Sequence, residues 1–170
     1  MSLFSYLKYS IAITTLSIAG IAMGKTAPLF KLSIEVPKHQ VAEYHAPYIA
    51  TWIEDGSQRA VVATSLWYDG QEKWLKDIRR WWRKTGRQQK KPYDGVTGAT
   101  RKPGQYQLVL NSEDIDQLSE PGQYYLMIEA TREVGGRETL KLPFSWPVEK
   151  KLTVEAKGKS ELGQIILTIE

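Results

Sequence analysis

Thr100 closes the run Asp94-Gly95-Val96-Thr97-Gly98-Ala99-Thr100, and its hydroxyl is the group in this chain best suited to carrying something covalently. A threonine oxygen on a loop is an acceptor for a phosphoester. Gly95 and Gly98 let the backbone adopt positive φ and let a bulky group approach closely. Asp94 is placed to orient a metal-bound phosphate, and Arg101, with Lys102 after it, to offset phosphate charge. Small polar residues also make ordinary loops. The spacing therefore permits attachment without requiring it.

Other chemistries have less to work with. The chain has no cysteine, which removes disulfides, thiolate metal sites, iron–sulfur clusters and thioether-linked haem. His39 and His45 are the only histidines, six residues apart, with no obvious carboxylate or thiol support in the sequence for a metal. No nucleophile-elbow, zinc-protease or β-lactamase motif occurs. The acidic pairs Glu54-Asp55 and Glu113-Asp114 fall at expected turns and read as solvated. No catalytic residues are assigned.

A basic cluster is the second functional signal. Nine Lys or Arg residues lie between Lys73 and Lys91, against the single acid Asp77. Within residues 72–84, Trp74, Leu75, Ile78, Trp81 and Trp82 recur at helical spacing, which predicts an amphipathic helix with its tryptophans in the core. The opposite face carries Lys76, Arg79, Arg80 and Arg83, a surface for an acidic protein loop or anionic lipid. The plainer reading is a solvated face whose long side chains cover the apolar residues beneath. Nucleic acid is not an expected partner of an exported protein.

Export is read from the N-terminus. Lys8 precedes an uncharged stretch, residues 9–24, ending in the small residues Ala22 and Gly24. That order fits a signal peptide over residues 1–24, with residues 25–170 as a single mature domain. The stretch is shorter than the ~20 apolar residues of a spanning helix. An uncleaved anchor is the alternative, and either places the domain in the periplasm. With 42% hydrophobic and 25% charged residues and a net charge of +4, the chain has the composition of a globular protein.

The elements that must position Thr100 are mostly strands. Residues 30–36 alternate strictly, with Phe30, Leu32, Ile34 and Val36 on one side. Residues 47–56 and 60–70 each end in Asp-Gly, a strong turn signal. Pro-Gly-Gln-Tyr occurs at 103–106 and 121–124 and opens a β run each time. Gly135-Gly136 reverses the chain, and residues 151–156 and 163–170 read as a closing hairpin with Leu152, Val154 and Ile166 as core candidates. Eight or nine short strands with one inserted helix predict an all-β fold, an antiparallel immunoglobulin-like β-sandwich, with a barrel as the alternative.

Two resemblances add to this reading. Residues 94–100 resemble the D-G-x-[ST]-G-A-[ST] signature of exported proteins that carry FMN through a phosphoester on the final residue. A periplasmic Mg²⁺-dependent flavin transferase acts on that signature. The resemblance implies Thr100 as acceptor, with Asp94, Thr97 and Gly98 as recognition elements. More widely, residues 31–144 resemble the periplasmic proteins grouped as domain of unknown function 2271. That implies membrane-bound redox or PepSY-type partners and an extracytoplasmic redox or metal-uptake system. Two functions follow: a covalent flavin carrier acting through Thr100, or a non-catalytic module docking a membrane protein through its basic helix.

Overall fold

The structure, a computed structural model, describes residues 28–88, 97–110 and 115–170. The expected signal peptide, Asp94 and the pair Glu113-Asp114 lie outside the described residues.

Among the described residues nine strands form two sheets. They are β1 (Phe30–Val36), β2 (Tyr48–Asp55), β3 (Ala60–Trp67), β4 (Thr97–Gly98), β5 (Gly104–Val109), β6 (Gly122–Thr131), β7 (Arg137–Trp146), β8 (Leu152–Lys157) and β9 (Gln164–Ile169). One sheet runs β5-β1-β9-β8, the other β4-β3-β2-β6-β7. The pairing of β1 with β5 in one sheet, and of β2 with β6 and β6 with β7 in the other, is that of an immunoglobulin-like sandwich. The C-terminal hairpin β8–β9 extends the first sheet beyond β1.

The strict alternation of β1 has its physical counterpart: Phe30, Leu32, Ile34 and Val36 are buried between the sheets, and the residues between them are half-buried. Leu126, Ile128 and Ala130 of β6 and Ile165, Leu167 and Ile169 of β9 complete that core. In β9 the parity differs from the sequence expectation. Ile166 faces outward, half-buried, while Leu152 and Val154 pack only partly against the core.

β2 behaves differently, with six consecutive residues buried. Its outer face is covered by a helical strap, which replaces the single expected helix with three short pieces. These are a 3-10 segment (Glu72–Asp77), one α-turn (Arg79–Trp81) and a π-turn (Trp82–Gly86). Ile78 breaks the run at ψ 73°. The break has a cause. The buried Glu129 carboxylate of β6 accepts the backbone N–H of Arg80 at 3.2 Å and of Trp81 at 2.8 Å, donors a continuous helix would have bonded internally. Leu75, Ile78 and Trp81 then pack on Ala50, Trp52, Leu66 and Met127.

The tryptophan expectation therefore divides. Trp81 is buried, Trp82 half-buried, and Trp74 is 42% exposed. Gly86 closes the strap because its Cα lies against the Trp81 indole; an added Cβ would come within 2.5 Å of that ring.

Candidate functional site

The loop before β5 is pinned at one end by β4. Thr97 and Gly98 pair in parallel with Leu66 and Trp67, and the Tyr68 N–H donates to the Gly98 carbonyl at 2.9 Å. Gly98 is needed here for close approach: a Cβ would sit 3.3 Å from the Trp67 indole. Thr97 is exposed. Arg101 lies over the rings of Trp67 and Tyr106, 5.3 and 5.7 Å from their centroids, and its Nε is buried without a hydrogen-bond partner among the described residues. These contacts fix the chain on both sides of Thr100.

Thr100 itself is half-buried, and its hydroxyl makes no hydrogen bond among the described residues. It lines a cavity of about 580 Å³, shared with Tyr48, Asp69, Trp74, Arg79 and the β6–β7 turn. That volume lies in the usual range of small-molecule sites.

The cavity walls are held by polar contacts. The Tyr48 hydroxyl donates a hydrogen bond to Asp69, which also accepts the Gln71 N–H at 2.9 Å. Burial, and then the Asp69 carboxylate, pushes the Tyr48 phenol far above its usual value. Partial burial acts to raise the Asp69 carboxyl, but the hydrogen bonds from Tyr48 and Gln71 outweigh it and hold Asp69 below the usual range. At the turn after β6, Arg132 donates to Glu161 at 2.8 Å, and Glu161 also accepts the Gly136 N–H at 2.7 Å. His45 lies 3.2 Å from Glu43 and 3.5 Å from Glu133. Among the described residues no group of His, Asp and Glu is arranged to hold a metal ion.

The basic face is only partly free. Lys76, Arg79 and Arg83 are exposed. Arg80 instead turns inward and pairs with Glu54 at 2.7 Å. Glu54 is thus not a solvated turn residue; it is buried and accepts the Trp52 indole N–H at 2.9 Å as well. Glu129 is the other buried acid of this layer. Burial pushes its carboxyl up, against the opposing effect of the Trp81 and Arg80 amides.

The sequence singles out Thr100 but not the residues that share its cavity. Tyr48, Asp69 and the turn at 133–136 line the cavity from three separate chain segments, and only the strand pairing brings them together. The signals in sequence were Asp69-Gly70 and Gly135-Gly136, which read as turns and nothing more.

Among the described residues no helix is long and apolar enough to cross a membrane. No curated protein and no solved structure matches the chain. A family model described as "Predicted periplasmic protein (DUF2271)" matches residues 30–164, which takes in β1 to β8 and the Thr100 loop, and the chain belongs to that family.

Proposed function

We propose that this protein is a periplasmic carrier that holds FMN as a phosphoester on Thr100 and serves a membrane-bound redox or PepSY-type partner. The observation supporting the reading is that the last residue of the signature is half-buried on the wall of a cavity of about 580 Å³, with its hydroxyl free of competing hydrogen bonds among the described residues. A threonine at the same place in the sequence but sealed in the core would have opposed it.

The residues fit the group. The acceptor has neighbours that hold the loop still, with Thr97 and Gly98 in β4 before it and Arg101 on Trp67 and Tyr106 after it. Arg79, Arg132 and Arg137 line the same cavity beside Asp69, Asp77 and Glu133; Arg132 is held by Glu161, and the exposed Arg79 is the cation left to meet a phosphate. Attachment needs a donor already activated as a pyrophosphate, such as FAD. The Thr100 oxygen bonds to the flavin-side phosphorus, the pyrophosphate linkage breaks, AMP departs and the hydroxyl proton goes to solvent. Bound flavin supplies one- and two-electron transfer; the protein supplies position and electrostatics.

Intact-mass spectrometry tests this directly. The full chain is co-expressed with an active periplasmic flavin transferase, with a known flavinylated protein as positive control. The expected gain is one FMN less one water, abolished by Thr100→Ala. An unmodified mass beside a modified control refutes the carrier and leaves a docking module acting through the exposed Lys76, Arg79 and Arg83.

A further inference from the structure

Two exposed apolar side chains stand at the Thr100 cavity, and each is costly where it is. Trp74 lies on the 3-10 segment, 42% exposed, while the neighbouring Leu75, Ile78 and Trp81 of the strap are buried. Trp74 lines the cavity, and the Lys73 ammonium lies over its ring, 5.0 Å from the centroid. Val134 lies at the tip of the β6–β7 turn, 84% exposed. Its φ is +51°, a conformation that a β-branched residue adopts only under strain. Glycine would fit that backbone better, and Gly135 and Gly136 follow immediately. Strained residues of this kind concentrate where a ligand is gripped. Both side chains line the cavity that Thr100 lines, from two elements far apart in sequence.

We infer that Trp74 and Val134 form the seat of the planar aromatic ring of the ligand carried on Thr100, Trp74 by stacking and Val134 by aliphatic cover. This rests on the flavin-carrier reading and goes beyond it, since attachment alone would leave the ring in solvent. A flat conjugated ring is the chemistry that stacks on a half-exposed indole, here on the side away from the Lys73 ammonium, and its burial would remove both exposed apolar groups from water. The 3-10 geometry assists. Residues three apart are stacked in such a segment, so Trp74 and Asp77 share one ridge, and both line the cavity.

The test is flavin emission from the loaded full-length protein. An indole in contact with an isoalloxazine quenches it by photoinduced electron transfer. Emission per flavin is compared between native and urea-unfolded wild-type protein, Trp74→Leu and Val134→Gly, with loading verified by intact mass in each. The seat requires native wild-type emission to be several-fold below the unfolded value, and Trp74→Leu to recover most of that loss. Val134→Gly separates the seat from stability: it should raise the thermal midpoint by relieving the positive φ, yet increase flavin emission and mobility. A loaded wild type as bright as the unfolded chain, or a loaded Trp74→Leu as dim as wild type, overturns the seat and leaves attachment standing. A wild type that gains no mass overturns both.

Discussion

At β2 and β6 the five-stranded sheet is buried on both faces, and the two faces are sealed by different physics. Its inner face meets the other sheet through Ile49, Ile53, Leu126, Ile128 and Ala130, an apolar contact with Phe30, Ile34 and their neighbours. Its outer face meets the helical strap through Ala50, Trp52, Leu66 and Met127, with the buried acids Glu54 and Glu129 set among them. Hydrophobic burial is non-directional and tolerates small shifts. Hydrogen bonds donated by two strap amides to the Glu129 carboxylate do not. The outer layer therefore fixes where the strap lies along the sheet as well as holding it down. That matters because the strap carries Trp74 and Arg79 to the cavity beside Thr100.

The largest effect that would break this comparison is at Trp81. Trp81→Ala removes a fully buried indole from the outer layer and is expected to cost about 3–5 kcal/mol in urea unfolding. Ile34→Val in the inner core should cost only about 0.5–1.5 kcal/mol. If the strap were a loosely attached flap, Trp81→Ala would leave the global unfolding midpoint in place. It would then show only as faster hydrogen exchange over residues 72–86.

The inner core was the legible part of the molecule, for a reason that the outer layer makes clear. A strand buried on one face alternates, and β1 announces itself in Phe30, Leu32, Ile34 and Val36. A strand buried on both faces loses that signal. Nothing in Trp52-Ile53-Glu54 says that the glutamate is buried, because its partner Arg80 is 26 residues away. The strap was legible as a helical period but not as a broken one, since the break depends on Glu129, 49 residues from Arg80. The Thr100 loop stands out in the sequence through its spacing of small residues. The cavity around it does not, because Tyr48, Asp69 and Val134 become neighbours of Thr100 only through sheet order and a hairpin turn.

Glu129 offers a sharper, smaller test. Glu129→Ala leaves the Arg80 and Trp81 amides buried without their acceptor. An unsatisfied buried group costs about 1–3 kcal/mol. A total of roughly 3 kcal/mol is expected in denaturant unfolding, with altered tryptophan emission as the strap loses its register. A change too small to resolve would mean that apolar packing alone holds the outer layer, and the contrast between the two faces would vanish.

The smallest effect lies at the cavity wall. Asp69 has its carboxyl held below the usual range in the folded protein by the Tyr48 hydroxyl and the Gln71 amide, in spite of some burial. A lowered folded pKa contributes stability that is present above the unfolded value and is lost as pH falls through the folded one. Thermal midpoints of wild type and Asp69→Asn are therefore expected to differ most near neutral pH and to converge on acidification. Asp55 and Glu138, also lowered by their hydrogen bonds, keep the same slope in both proteins, so the difference isolates Asp69. Asp69 is exposed, so salt should shrink the gap. Curves that stay parallel from neutral to acid pH would show that the Tyr48–Asp69 contact does not hold this wall. The strap, fastened by Glu129 on the far side of the sequence, would then position the cavity without it.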